Sequence, residues 1–178
     1  GNTGPNHVLI HNLYETLVVR GFDGKLVGAL ATSWKTLPTD PTVWEFKLRP
    51  NVKFHNGNAF TADDVVFSLT RALKPAADMK SLLVSVDSIT KVDDLTVHIK
   101  TKGPNALLVN NLTNMFMMDK EWSEANNAGD PQNLKEKVEN GATRAANGTG
   151  PFSLVSRQPD VSTVMKVNPT HWAAGADQ

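Results

Sequence analysis

Five histidines are the residues of this sequence best suited to acid–base or metal chemistry, and two of them are closely spaced. His7 and His11 stand four positions apart on a predicted helix, so both rings could face one metal ion. The His-Glu-x-x-His motif of zinc proteases places a glutamate directly after the first histidine, but Val8 occupies that position here. We therefore predict no metal and no cofactor, and interpret the pair as histidines at a helix surface or pocket edge. A metal-dependent enzyme using His7 and His11 is kept as an alternative.

Other residue combinations that could support catalysis have explanations in local structure. Asp63 and Asp64 are adjacent carboxylates, but they follow Thr61 at a predicted helix start, where threonine caps the helix and the helix dipole favours acidic groups. Residues 147–151, NGTGP, have the glycines of a phosphate-binding loop but lack its lysine and precede a strand. No nucleophile–base pair can be assembled, so we predict that the protein is not an enzyme.

A run of soft apolar side chains is a candidate binding surface: Met115, Phe116, Met117 and Met118. Such a run belongs to a hydrophobic core by default. Methionine and phenylalanine also suit an adaptable wall around a ligand, so both interpretations stay open on composition alone.

The most regular pattern in the chain predicts a strand over residues 44–54. Trp44, Phe46 and Leu48 alternate with charged residues, and the alternation continues through Phe54. A period of two residues places these four side chains on one face of a strand, so we expect all four to be buried.

A helix is predicted over residues 62–73, because its apolar residues recur with helical spacing and Pro75 follows. We expect the ring of Trp44 to lie in the same core as Val66 or Leu69. Strand, turn and helix would then form one unit whose patterning needs no function to explain it.

Elsewhere the chain alternates short helices with hairpins. We predict a helix from residue 5 to 17, a hairpin turning at Asp23-Gly24, a loop over 35–42, a second hairpin turning at Asp93-Asp94 and two strands joined at Pro159-Asp160. This mixture predicts an α+β fold.

The composition is that of an ordinary globular protein and excludes several functions. Eighteen basic and eighteen acidic residues give a formal net charge of zero, whereas a nucleic-acid or anionic-membrane surface normally needs a basic excess. We therefore predict no nucleic-acid partner. No apolar run approaches the length that spans a bilayer, so we also predict no direct membrane span.

Residues 44–69, WEFKLRPNVKFHNGNAFTADDVVFSL, closely resemble the signature region of the family 5 extracellular solute-binding proteins, which deliver peptides, nickel and other solutes to ABC importers. That family has an aromatic alternating strand here, followed by Leu-Arg, Val-Lys-Phe-His-x-Gly, Thr-Ala-x-Asp-Val and a helix. Further segments match in the family's order: NLYETLVV (12–19), LVGALATSWK (26–35), NGTGPFSL (147–154) and NPTHW (168–172).

The resemblance implies the type II fold of periplasmic binding proteins, in which two lobes enclose a solute. Family members are much longer, so this chain is expected to be an N-terminal fragment that lacks the second lobe. Residues 1–33 and 145–178 are expected to form part of the first lobe. Residues 34–144 are expected to form a smaller inserted subdomain, α/β with antiparallel strands.

The same resemblance implies a receptor for a small peptide or other small solute, monomeric, working with the permease subunits of an ABC importer. Its location would be periplasmic or extracellular, with a membrane anchor on the full-length protein left open. A stand-alone interaction domain is a further alternative. Matched by position with segments that border the ligand in related receptors, the expected ligand contacts are Asn6, His7, Asn114, Met115, Phe116 and Met117.

Overall fold

The computed structural model describes residues 4–132, 140–143, 145–158 and 161–174, and gives the backbone alone for residues 4–8 and 143. In chain order its helices and strands are α1 (Gly4–Leu13), β1 (Val18–Arg20), β2 (Leu26–Gly28), β3 (Ala31–Leu37), β4 (Asp40–Leu48), α2 (Ala62–Leu73), β5 (Val86–Asp93), β6 (Thr96–Thr101), α3 (Leu108–Asn111), α4 (Lys120–Ala125), β7 (Phe152–Gln158) and β8 (Ser162–Val167). Short 3-10 helices occur at Lys80–Leu83, Leu112–Asn114 and Gly141–Thr143.

The strands form a four-stranded sheet in the order β3-β4-β6-β5 and two separate hairpins, β1-β2 and β7-β8. Every pairing between these described strands is antiparallel, and the helices pack beside the sheets instead of alternating with them. The α+β prediction is therefore confirmed, as are the hairpins on either side of Asp23-Gly24 and Asp93-Asp94. The predicted turn at Pro159-Asp160 lies outside the described residues.

The predicted loop over 35–42 is wrong at both ends. Strand β3 continues through Leu37 and β4 begins at Asp40, which leaves Pro38 and Thr39 as a two-residue turn. The prolines of this stretch suggested a longer break, but Pro38 lies in the turn and Pro41 lies next to it, where β3 and β4 pair irregularly.

The strand predicted over 44–54 ends at Leu48. Pro50 has no N–H to donate to a neighbouring strand, and Asn51 adopts a left-handed conformation with φ of 60°, so the backbone turns there. Phe46, Leu48 and Phe54 are buried as predicted. Trp44 is only half-buried, which differs from the prediction; its ring Nε1 donates a hydrogen bond to the Asn105 carbonyl at 3.1 Å.

Helix α2 spans the predicted residues 62–73, and its start is capped from both sides. The Thr61 side chain accepts hydrogen bonds from the first-turn backbone, while the Asp64 carboxylate accepts one from the Thr61 N–H at 2.9 Å. This reciprocal arrangement satisfies N–H groups that a helix start otherwise leaves without partners. Asp64 is thus a capping residue, as predicted. Asp63 lies in the first turn, where the helix dipole favours an acidic group, and its carboxylate pairs with Lys91 Nζ at 2.6 Å.

Helix α2, the four-stranded sheet and residues 108–117 share one hydrophobic core. Trp44 packs against this core, which contains Leu69. The prediction that the Trp44 ring shares a core with Val66 or Leu69 is therefore confirmed. The largest fully buried side chains are Phe46, Phe54, Leu17, Leu30, Leu69, Leu83, Ile99, Leu108, Leu112 and Met117. Within the described part of the chain, no helix has the length and apolar character needed to cross a membrane.

Candidate functional site

A cavity of about 450 Å³ lies between α1, the C-terminal half of α2 and residues 114–118. Its size falls in the usual range for small-molecule sites in proteins. Its apolar wall combines residues of α1 with methionines and a phenylalanine from elsewhere: Leu9, Ile10, Leu13, Met79, Met115, Phe116 and Met118.

Three of the predicted contact residues line this cavity, namely Asn114, Met115 and Phe116. Asn114 is exposed, Phe116 is half-buried and Met115 is buried. The Phe116 ring meets the His11 ring edge-on, with 5.0 Å between their centroids. Polar Asn114 and apolar Met115 and Phe116 thus border the same cavity, which suits a ligand of mixed character.

Met117, a fourth predicted contact, has its side chain fully buried in the hydrophobic core. Its backbone N–H donates to the Glu15 carbonyl at 2.9 Å, and the N–H of Met118 donates to the Ser68 hydroxyl at 2.8 Å. These bonds hold residues 117–118, the C-terminal end of the wall, to α2 and to Glu15, which lies two residues after α1.

The remaining predicted contacts, Asn6 and His7, belong to α1, but their side chains lie outside the described residues. The alternative of a metal site shared by His7 and His11 therefore falls partly outside the described residues. Among the residues whose side chains are described, no group of three or more histidine, cysteine or acidic side chains is arranged to hold a metal ion.

Tyr14 and Arg71 also line the cavity, although sequence analysis did not single them out. Burial raises the pKa of Tyr14 to about 12, so its hydroxyl stays neutral at physiological pH. Arg71 lies in the last turn of α2, where a basic residue complements the helix dipole, so its position alone gave no sign of a second role. Only the folded chain brings α1, α2 and residues 114–118 around one cavity.

Beside the cavity, a cluster that we call the polar junction joins several segments of the chain. It consists of Glu15, His55, Asn56, Asp119, Asn147, Gly148, Thr149, Gly150, His171 and Trp172. Four of the segments that resemble the solute-binding family, including NLYETLVV and NPTHW, contribute to it.

Glu15 is one centre of the polar junction. Its carboxylate accepts hydrogen bonds from the Thr149 hydroxyl at 2.7 Å, from His171 Nε2 at 2.9 Å and from Trp172 Nε1 at 3.0 Å. The guanidinium of Arg49 lies 3.9 Å from the centroid of the Trp172 ring, a cation–π contact. One acidic side chain thus ties together residues more than 130 positions apart in sequence.

Asp119 is the other centre, and only 2% of it is exposed. One carboxylate oxygen accepts from the side-chain amides of Asn56, Asn58 and Asn147 at 3.1, 2.9 and 2.8 Å. The other accepts from the Trp122 N–H at 3.0 Å and so caps α4. Hydrogen-bond donors surround this carboxylate, as a buried charge requires.

The NGTGP segment passes so close to the end of α1 that two of its glycines have no room for a side chain. A Cβ on Gly148 would lie 1.9 Å from the Leu13 carbonyl oxygen, and one on Gly150 would lie 2.4 Å from that of Asn12. His55 fixes the segment by donating from Nε2 to the Gly150 carbonyl at 3.0 Å and accepting at Nδ1 from the Gly148 N–H at 3.2 Å. These glycines serve backbone packing, which agrees with our rejection of a phosphate loop.

The solved structures that this chain resembles are type II periplasmic binding proteins, and the chain has the fold of part of one of their domains. Residues 25–178 match one protein family, described as bacterial extracellular solute-binding proteins, family 5 middle. The chain therefore belongs to the family 5 extracellular solute-binding proteins, as its motifs predicted.

Two curated relatives illustrate the match. The chain is 37% identical over 113 residues to the glutathione-binding protein GsiB of Pectobacterium atrosepticum, covering 62% of this chain and 22% of that protein. It is 29% identical over 187 residues to di/tripeptide-binding protein 2 of Pseudomonas aeruginosa, covering 91% of this chain and 33% of that protein.

Among solved structures, the chain resembles the periplasmic binding protein DppA of Helicobacter pylori in complex with the peptide STSA, with a TM-score of 0.77 and 28% identity. The similarity covers 97% of this chain and 36% of that one. The chain thus spans about a third or less of the length of these relatives, all of which are solute-binding proteins and not enzymes.

Proposed function

We propose that the full-length protein is a receptor of an ABC import system and that its solute is a short peptide. The observation that carries this proposal is the cavity of about 450 Å³, with its apolar wall and polar edge, in a chain of the solute-binding family. Peptides present alternating polar backbone and variable side chains, so a wall with both kinds of group suits them. The names of two relatives, a glutathione-binding and a di/tripeptide-binding protein, support the same class of solute.

Six residues are proposed to contact the peptide or to position its contacts. Asn114, Met115 and Phe116 face it from the cavity wall. Met117 keeps that wall in place through the core and through its bond to Glu15. Asn6 and His7 of α1 complete the set on the strength of the family resemblance alone.

We also propose how this part of the chain fits the whole receptor. Residues 1–33 and 145–178 belong to the first lobe, residues 34–144 form its inserted subdomain, and the opposite wall of the cleft comes from a second lobe outside these residues. Most of the four-stranded sheet and all of α2 lie within residues 34–144, which supports treating this range as a structural unit.

The proposed mechanism involves no bond cleavage. The two lobes close over the peptide by a hinge motion, exclude water from its polar groups and present the closed form to the permease subunits. The receptor acts as a monomer in the periplasm or outside the cell, in keeping with its extracellular family. No observation favours the metal-dependent enzyme or a stand-alone interaction domain, so neither is proposed.

Calorimetric titration with a panel of di- to pentapeptides tests this proposal. We expect the full-length protein to bind at least one peptide with a dissociation constant in the micromolar range or below. Residues 1–178 alone should show no measurable binding at micromolar concentration, because one wall leaves the peptide hydrated on its other side. Losing about 4 kcal/mol of contacts weakens binding roughly a thousandfold. A full-length protein that binds none of the panel would contradict the proposal.

A further inference from the structure

The described residues that line the cavity carry more positive than negative charge. Two arginines and one aspartate among them are charged: Arg71, Arg157 and Asp78. Arg71 is half-buried, whereas Asp78 is exposed at the surface.

The described part of the chain offers Arg71 only neutral hydrogen-bond acceptors. Its Nε donates to the Ala128 carbonyl at 2.9 Å and its Nη2 donates to the Asp130 carbonyl at 3.1 Å. The Asp130 carboxylate itself pairs with Lys74, which lies three residues after Arg71. Nη1 of Arg71 makes no hydrogen bond to the described residues. A guanidinium stays protonated in proteins, so Arg71 brings a positive charge to the cavity lining. The Asp130 carboxylate attracts this charge from a distance but accepts no hydrogen bond from it.

The surroundings of Arg71 increase the strength of any new ion pair. Apolar side chains of α1, Met79 and Phe116 share the cavity, and a charge in such surroundings interacts more strongly than one in open water. The neighbouring hydroxyl of Tyr14 is neutral, so it supplies no competing anion. Arginine presents its donors in a planar fork that matches a carboxylate, which makes a carboxylate its natural partner.

From this geometry we propose that Arg71 binds a carboxylate of the solute, whose apolar portion lies against the methionine and phenylalanine wall. The inference rests on the proposed peptide-receptor function and deepens it by assigning the charge of the ligand. Two sources of the carboxylate fit this chemistry, the C-terminus of a peptide and an acidic side chain.

The test compares matched ligands on the full-length protein. Calorimetry measures the dissociation constants of Ala-Leu-Phe and its C-terminal amide, and then of Ala-Glu-Phe-amide and Ala-Gln-Phe-amide. We expect the acid of one pair to bind at least roughly tenfold more tightly than its neutral counterpart. The pair that shows the preference identifies the source of the carboxylate.

Variants of Arg71 then assign that preference to this residue. Arg71→Met should weaken binding of the preferred acid roughly thirtyfold and leave the neutral ligand nearly unchanged, so the preference disappears. Lys74→Met is the matched control, because Lys74 holds the same 129–130 segment but does not line this cavity. It should retain the wild-type preference. If Arg71→Met fails to fold, Arg71→Lys keeps the charge without the fork and should still reduce the preference severalfold.

The outcomes separate the two levels of the hypothesis. Wild-type binding with an unchanged acid preference in the folded Arg71 variants, or with no preference in either pair, overturns the role of Arg71 while the receptor function stands. A wild-type protein that binds none of the four peptides nor any of the wider panel contradicts the receptor function and this inference with it.

Discussion

The polar junction and the cavity adjoin each other but treat buried charge in opposite ways. In the junction, Glu15 and Asp119 each accept hydrogen bonds from several donors on distant segments. In the cavity, the guanidinium of Arg71 has two backbone carbonyls as partners and no carboxylate among the described residues. Among the described residues, the junction carboxylates have several hydrogen-bond donors each, whereas Nη1 of Arg71 has no acceptor.

This difference separates groups that hold the fold from groups available to a ligand. A fully partnered buried carboxylate has little capacity left for a new ligand, and removing it leaves several donors without acceptors. A cation whose hydrogen bonds go to neutral carbonyls can gain a charged partner and keep those bonds, at the cost of desolvating both charged groups. The comparison therefore predicts large stability effects in the junction and binding effects with small stability changes in the cavity.

The largest stability loss is expected from Asp119→Ala. The change leaves the amides of Asn56, Asn58 and Asn147 without their shared acceptor and removes the cap of α4. Buried donors without an acceptor are costly, so we expect the free energy of unfolding to fall by about 3 kcal/mol. Urea unfolding of the full-length protein measures this loss. Asp119→Asn keeps an acceptor oxygen and should lose about half as much. A loss below about 1 kcal/mol for the alanine variant would show that these bonds are not essential.

Gly148→Ala is expected to have the next largest effect. A Cβ there would overlap the Leu13 carbonyl oxygen at 1.9 Å, so the backbone of the junction has to move. Such overpacking costs about 2 kcal/mol, observed as a lower urea midpoint. Gly103→Ala is the matched control, because a Cβ at Gly103 meets nothing within 4 Å. Its unfolding free energy should change by less than about 0.5 kcal/mol, and equal effects at both sites would refute close packing at Gly148.

The smallest effect in the junction is a pH dependence due to His55. Burial lowers the pKa of His55 from its ordinary value of 6.5, outweighing the hydrogen bond to the Gly150 carbonyl, which raises it. The unfolded chain therefore binds this proton more readily than the folded chain does. The stability from neutral His55 is complete above pH 6.5 and is lost as the pH falls through the lower pKa of the folded state.

Urea unfolding between about pH 7.5 and about pH 5 measures this dependence in the wild type and in His55→Gln. The variant should lose less stability on acidification than the wild type, because glutamine does not titrate. Identical pH profiles would mean that His55 makes no contribution through its protonation.

Local patterns predicted the elements that local interactions determine. Helix α2 matched its predicted bounds because the apolar spacing, the Thr61 cap and the following Pro75 all act within a few residues. The strand ending at Leu48 was predicted too long, since alternation continued in sequence after Pro50 and Asn51 had turned the backbone.

Local sequence patterns could not predict contacts between segments that are distant in the chain. The order of the family motifs could be read from the sequence. The sequence did not show that Thr149 and His171 both donate hydrogen bonds to Glu15. Likewise Arg71 looked like an ordinary residue at a helix end, because the cavity beside it exists only after folding has brought α1, α2 and residues 114–118 around one space. The soft apolar run was recognised, but burial divided it between core and cavity wall.

The central claim, that the cavity beside Met115 receives the solute, can be tested by NMR of methionine methyl groups in the full-length protein. Met79, Met115 and Met118 line the cavity, whereas Met117 is fully buried in the core and serves as an internal reference. On saturation with a peptide whose binding calorimetry has established, the account predicts shifts at the three cavity methyl groups that exceed the shift at Met117. Saturation that leaves those three signals unchanged would contradict it.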